Sequence, residues 1–187
     1  MRCGVMAVIL IGILTLTSSS QSKLDQWRQL QCRGSAVTKR YFNYAEGFSI
    51  AIPRGLSGRR GQAAGPERGV SIPLSHDCTS VMVVDGEPNS LEWATPADAI
   101  KWRIDTAKED DPQAVARRFI TRLGKLKAAA VTIRQHTTDE RKVIVVAFRP
   151  GGSPVYEATL SATGKRYSLD RKIFMKALQS FRLEAWR

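Results

Sequence analysis

The chain of 187 residues carries 29 Lys and Arg against 17 Asp and Glu, which gives a formal net charge of +12. An excess of this size favours anionic partners, although positive charge also serves solubility by itself. Beyond the N-terminal region, no apolar run approaches the roughly 20 residues that a membrane-spanning helix needs. The sequence therefore excludes a transmembrane helix in the mature chain.

The N-terminus has the layout of a secretory signal. Arg2 precedes an apolar run from Val5 to Leu16, and the residues at 17–20 are all small and polar. The apolar run is too short to cross a bilayer comfortably. We predict a cleaved signal peptide over 1–22, with an uncleaved anchor as the alternative.

The rest of the chain is expected to form one domain. Removing 22 of the 187 residues leaves 165, which is enough to bury a sizeable core. We place an N-terminal segment at 23–43 and an α+β domain at 44–187. In a secreted or periplasmic protein, the anionic partners closest at hand are phosphorylated envelope polymers and lipid head groups, whereas nucleic acid is unlikely.

The mature chain has two cysteines, Cys32 and Cys78. An even number in an oxidising compartment predicts one disulfide, which would tie the N-terminal segment to the sheet. The alternative makes Cys78 a nucleophile, since His76 and Asp77 stand beside it and His136 follows later. Adjacent residues on an extended chain point to opposite sides, so the disulfide is the favoured interpretation.

Two elements are predicted near the start of the mature chain. Leu24, Trp27 and Leu30 fall at helical steps and indicate a short helix. Phe48 and Ile50 then alternate with small residues between a glycine and a proline. That alternation predicts a half-buried strand.

The stretch from Arg54 to Gly69 is predicted to be a loop, because it is rich in glycine and has no apolar period. Glycine-spaced arginines can surround an anion with backbone amides and guanidinium groups. The candidate anion-binding residues are Arg54, Arg59, Arg60 and Arg68. The alternative is a solvated connection, since no nucleotide-loop motif is present.

Short strands are predicted at 70–74 and 80–84, and a turn at 85–88 ends the second. Thr95 is a good helix cap, and Pro96 suits the first helical position. Apolar residues at three- and four-residue steps follow, so we predict a helix that covers the sheet.

The stretch 112–124 allows two interpretations. Asp111, Pro112 and Gly124 resemble the cap, first-turn and stop signals of a helix. The competing interpretation is a strand from Phe119 to Leu123. A strand at 129–135 is expected to follow, with His136 in a surface turn.

The C-terminal part organises the predicted core. Residues 142–149 are apolar on both faces, as expected of a central strand, and 155–160 alternate at the strand period. Gly164 is predicted to break that strand. A helix is then expected from a cap at Ser168 or Asp170, with a wide apolar stripe that ends near position 181.

The order of these elements resembles the PsbP-like fold over roughly Tyr44 to Leu183. The matching segments are Gly-Phe-Ser-Ile-Ala-Ile-Pro at 47–53, a mid-chain helix, a late strand pair with Tyr-Glu-Ala-Thr-Leu at 156–160, and a final helix that ends in Ser-Phe-Arg. The resemblance implies an antiparallel sheet flanked by helices. That family has no common catalytic residues, so the resemblance assigns none here.

We therefore predict an exported α+β domain that serves non-catalytic binding or assembly in the cell envelope. Its partner would be an anionic envelope component or another exported protein. The sequence shows no metal-ligand cluster, Gly-x-Ser-x-Gly motif, paired-acid motif or nucleotide loop, so we assign no catalytic residue, metal ligand or cofactor. The alternatives are a hydrolase of the same compartment and a secreted inhibitor or immunity protein.

Overall fold

The computed structural model describes residues 25–61 and 68–185, so the predicted signal peptide lies outside the described residues. The helices are α1 (25–31), α2 (Pro96–Asp110) and α3 (Gly164–Leu178). The strands are β1 (Ser35–Val37), β2 (Arg40–Asn43), β3 (Phe48–Ala51), β4 (Gly58–Arg60), β5 (Gly69–Pro73), β6 (Ser80–Glu87), β7 (Val115–Leu123), β8 (Leu126–Arg134), β9 (Glu140–Phe148), β10 (Val155–Thr163) and β11 (Arg182–Leu183). No helix in these ranges is long and apolar enough to cross a membrane.

The strands form two antiparallel sheets. The large sheet has eight strands in the order β1-β4-β5-β6-β10-β9-β8-β7, and the small sheet has three in the order β11-β3-β2. The predicted strands at 142–149 and 155–160 are β9 and β10, which pair along their whole length in the middle of the large sheet. The α+β class with an antiparallel sheet in a single domain is confirmed.

Helix α3 and the small sheet cover one face of the large sheet, which we call the α3 face. Alternate residues of the central strands, such as Met82, Val145 and Leu160, point to this side. Phe174 of α3 and Phe48 of β3 pack against them and are fully buried. Burial of such side chains is the main favourable contribution to folding.

Helices α1 and α2 cover the opposite face, which we call the α2 face. Ile100 and Ile104 of α2 pack on Val131 and Ile144 of the strands beneath them. Trp27 of α1 packs over β6 on the same face. Both faces of β9 are covered over Val143–Phe148, and this part of the strand is apolar, as expected of a central strand.

Helix α2 begins as the sequence predicted. The Thr95 side chain accepts a hydrogen bond from the Asp98 backbone N–H, the Asp98 carboxylate accepts one from the Thr95 N–H, and Pro96 occupies the first turn. This is a capping box, which satisfies backbone donors that the first turn leaves unpaired. The predicted strand at 48–52 is likewise confirmed as β3.

Helix α3 begins earlier than its sequence pattern indicated. β10 ends at Thr163, so Gly164 breaks the strand as predicted, but α3 already starts at Gly164, and neither Ser168 nor Asp170 caps it. Asp170 is fully buried instead, and its two carboxylate oxygens each lie 3.1 Å from Arg166 nitrogens. The cap prediction was wrong because Ser168 and Asp170, although typical helix-capping residues, lie inside a helix that begins at Gly164.

The helix interpretation of 112–124 is also wrong, and the competing strand is correct. β7 pairs with β8 residue by residue from Val115 to Leu123. The signal taken for a helix stop, Gly124, lies in the hairpin turn with φ +58°. A Cβ there would collide with the Phe181 carbonyl, so the position requires glycine for space as well as for backbone conformation.

Several strands have no clear pattern of their own. β4 lies inside the predicted loop at 54–69, and β6 extends to Glu87 through the predicted turn. β1, β2 and β11 were not predicted and have two to four residues each. Such short segments become strands because a neighbouring strand supplies the hydrogen-bond partners.

Candidate functional site

A disulfide joins the turn after α1 to the loop before β6. Cys32 and Cys78 are bonded, with their Cα atoms 6.3 Å apart. Next to it, the Ser71 hydroxyl donates a hydrogen bond of 2.5 Å to the Gln31 amide oxygen in a buried position. The disulfide removes the thiol that the nucleophile interpretation of Cys78 required.

A buried polar cluster also holds α1 on the sheet. The side chains of Arg28 and Glu140 are 3% and 1% exposed and form an ion pair of 3.5 Å. Ser161 accepts a hydrogen bond from Arg28 and donates one to Glu140. Each charged group thus has partners that offset the cost of removing it from water. The cluster positions α1 on the sheet.

The four predicted anion-binding arginines lie before β4, on β4 and just before β5. Arg54 lies beside the C-terminal part of α3, at a pocket of about 440 Å³. Arg59 and Arg60 are neighbours on β4 and project to opposite faces, and Arg60 lies over the Tyr41 ring at 5.5 Å. Arg68 follows residues 62–67 in the chain, and its guanidinium lies 3.7 Å from the Glu87 carboxylate.

An acidic pair lies on the α2 face where β6 and β10 meet. Asp85 and Glu157 are directly opposite each other in the register. Arg103 of α2 approaches Glu157 at 2.7 Å, and the Thr159 hydroxyl donates to the other oxygen at 3.0 Å. Burial first, and then the negative charges of Glu157 and Glu87, raise the pKa of Asp85 well above its ordinary value. The ion pair of Glu157 joins α2 to the sheet.

His136 lines an open depression of about 590 Å³ together with Asp139. The carboxylates near it are engaged with backbone groups. Asp111 accepts hydrogen bonds from the N–H groups of residues 113, 136 and 137, and Asp139 accepts one from Gly164. Burial acts to raise the pKa of Asp111, but these three hydrogen bonds outweigh it and the pKa is lowered.

A catalytic arrangement would need an acid or hydroxyl that orients the imidazole. Within 25–61 and 68–185, the His136 ring makes no hydrogen bond, and no group of three or more potential metal ligands occurs. His136 is exposed, as predicted.

The strongest surface feature is a basic hairpin at the edge of the large sheet, formed by β7, its turn and β8 (115–134). This segment contains no Asp or Glu. Its six cations are Arg117, Arg118, Arg122, Lys125, Lys127 and Arg134. None of them lies within 4.0 Å of a carboxylate of the described residues. The hairpin therefore presents a concentration of positive charge without a negative charge of its own.

The two faces of β7 both combine charge with apolar side chains. Arg118, Ile120 and Arg122 share the α2 face, whereas Arg117 and Phe119 lie on the α3 face. Ile120 is 91% exposed at the centre of the strand. Beside it, a groove of about 250 Å³ runs between β7 and the start of α2. The sequence analysis did not predict this surface, because a helix over 112–124 would distribute these side chains around the helix axis.

The comparisons with known proteins concern the fold. The sequence matches no protein-family model and no curated protein. The solution structure of cyanobacterial PsbP (CyanoP) from Synechocystis sp. PCC 6803 is similar, with a TM-score of 0.56 and 16% identity over 81% of this chain and 96% of that chain.

The fold is PsbP-like.

A second similar structure is that of the Ran-binding protein Mog1p of Saccharomyces cerevisiae. It has a TM-score of 0.54 and 8% identity, over 81% of this chain and 97% of that chain. These likenesses confirm the fold resemblance that the order of the sequence elements indicated. At such identities they establish architecture and transfer no site residue.

Proposed function

We propose that this PsbP-like protein is an exported, non-catalytic binding or assembly protein of the cell envelope, and that the basic hairpin is its binding surface. The single observation that carries the proposal is the concentration of six cations and no acidic residue on the hairpin at an exposed sheet edge. The disulfide and the signal-like N-terminus support export, because disulfides persist in oxidising compartments.

The geometry spreads the charges of the hairpin along an extended track. Consecutive strand residues rise about 3.3 Å, so Arg117 and Arg122 lie roughly 17 Å apart with Arg118 between them. The Debye length at physiological ionic strength is about 8 Å, so the ends of this track are screened from each other and each cation acts on the nearest part of a partner. A surface of one sign attracts an anionic partner and accelerates its association. We therefore expect an anionic partner, either an envelope component or another exported protein.

The first of the two similar structures is a PsbP protein, and the second is described as Ran-binding. The second description supports binding to a protein as the kind of function this architecture serves. A secreted inhibitor or immunity protein would use an exposed surface in the same way. The proposal therefore concerns the surface, and its test compares the basic hairpin with the predicted arginine loop.

The test uses two variants that each lose four positive charges. The hairpin variant replaces Arg117, Arg118, Arg122 and Lys125 by threonine. The loop variant replaces Arg54, Arg59, Arg60 and Arg68 by threonine. Threonine keeps β propensity, so both variants should retain the fold. Melting temperatures measured by circular dichroism check this before binding is compared.

Binding is measured on anionic vesicles, on an acidic glycopolymer and on an acidic peptide, at low and high salt. The wild type should bind at least one probe, more weakly as salt rises, and only the hairpin variant should lose binding. Equal loss in both variants would mean that net charge alone is responsible. Loss only in the loop variant would place the site at the arginine loop and contradict the proposal.

A further inference from the structure

We infer that β7 binds an extended acidic segment of a partner protein as an added strand of the large sheet. This inference rests on the proposed function and specifies the partner and the mode of binding. Strand addition supplies affinity through backbone hydrogen bonds, while side chains on alternate positions supply specificity.

The first support is the geometry of the edge. β7 is the terminal strand of the large sheet and has nine residues, whereas the opposite edge, β1, has three. Within the described part of the chain, no strand pairs with the outer side of β7. Sheet edges in soluble proteins are usually short or covered, because unpaired N–H and C=O groups recruit other strands. β7 is a long edge that presents these groups.

The second support is charge, which decides between possible occupants. Two copies of β7 paired edge to edge would bring Arg117, Arg118 and Arg122 of both strands into one strand pair that contains no Asp or Glu. Like charges opposite each other destabilise a strand pair, so a second copy is disfavoured. A strand with Glu or Asp at the facing positions would instead form favourable cross-strand pairs. The surface therefore selects an acidic strand and opposes self-association.

The third support is the apolar pattern within the charges. Ile120 is 91% exposed, and the groove beside it is lined by Ala97, Ile100 and Ala129. An added strand would cover Ile120 and extend the apolar surface that α2 only partly covers. The partner segment should therefore carry apolar residues opposite positions 119 and 120, and acidic residues opposite 117, 118 and 122.

The probe is a fluorescently labelled peptide with this pattern, Thr-Glu-Thr-Val-Val-Glu-Glu-Thr, capped at both ends and written to run antiparallel to 116–123. Fluorescence anisotropy measures its affinity for the folded full chain. The combined change of Arg117→Thr, Arg118→Thr and Arg122→Thr should weaken binding by about 3- to 100-fold, since each cross-strand charge pair contributes a factor of roughly 1.4 to 5. The loop variant is the matched control and should bind like the wild type.

Backbone pairing is tested by altering the peptide, which leaves the protein unchanged. Successive residues of a strand direct their N–H groups to opposite edges, so N-methylation at alternate positions gives two peptides of opposite parity. One parity should lose binding and the other should keep it. If both bind as tightly as the parent peptide, the contact is electrostatic only and strand addition is wrong.

The remaining outcomes separate the inference from the proposed function. If the peptide does not bind but vesicles or glycopolymer bind through the hairpin, the proposed function stands and the strand-addition inference fails. If a hairpin-dependent dimer forms in size-exclusion chromatography, a second copy occupies β7 and the inference also fails. If the loop variant loses every kind of binding and the hairpin variant loses none, both proposals fail.

Discussion

Replacing Phe181 by alanine tests whether the small sheet closes the main core. The Phe181 ring is 3% exposed, and its centroid lies 5.4 Å from that of Phe48 and 5.1 Å from that of Tyr156. These three rings join the end of α3, the small sheet and the centre of the large sheet. Truncating a buried Phe costs about 3–5 kcal/mol, because transfer energy is lost and a cavity remains.

For a domain of this size, each kcal/mol lowers the melting temperature by about 2–4 °C, so Phe181→Ala should lower it by roughly 6–20 °C. Urea denaturation with linear extrapolation gives the free energy of unfolding directly. The matched control is Phe42→Ala on the outer face of the same small sheet, where the ring is 38% exposed. It should cost under about 1 kcal/mol. Equal losses in the two variants would refute this account of the core.

Two further predictions concern α1 and the acidic pair. Replacing both Cys32 and Cys78 by serine should destabilise the protein by about 4 kcal/mol on the chain-entropy model for a 46-residue loop, measured in the same denaturation assay; an unchanged midpoint would mean that the disulfide adds nothing. Asp85→Asn should stabilise the protein at pH 7 by about 0.2–1 kcal/mol, because it removes a like charge opposite Glu157. The pKa of Asp85 is higher in the folded state than in the unfolded chain, where it is about 3.9. Ionisation of Asp85 therefore lowers the free energy of unfolding as the pH rises above about 3.9. Below that pH the stabilisation by Asp85→Asn should disappear.

The sequence by itself determined the elements whose signal is local. Period-two alternation identified β3 and β10, a continuous apolar run identified β9 as central, and Thr95 with Pro96 located the start of α2. The cysteine count and the expected compartment predicted the Cys32–Cys78 bond. These features depend on residues near one another in the chain or on simple counts, so one sequence is enough to find them.

Only the tertiary structure decided the features that depend on contacts between segments distant in the chain. Residues 112–124 carry helix-like end signals, but β8 supplies hydrogen bonds along β7 and makes the segment a strand. The same pairing places the cations of 115–134 at one exposed edge. On β4, by contrast, strand geometry separates Arg59 from Arg60, although they are adjacent in sequence. The charge was visible in the composition, whereas its concentration on the basic hairpin follows from register and topology, which the sheet as a whole sets.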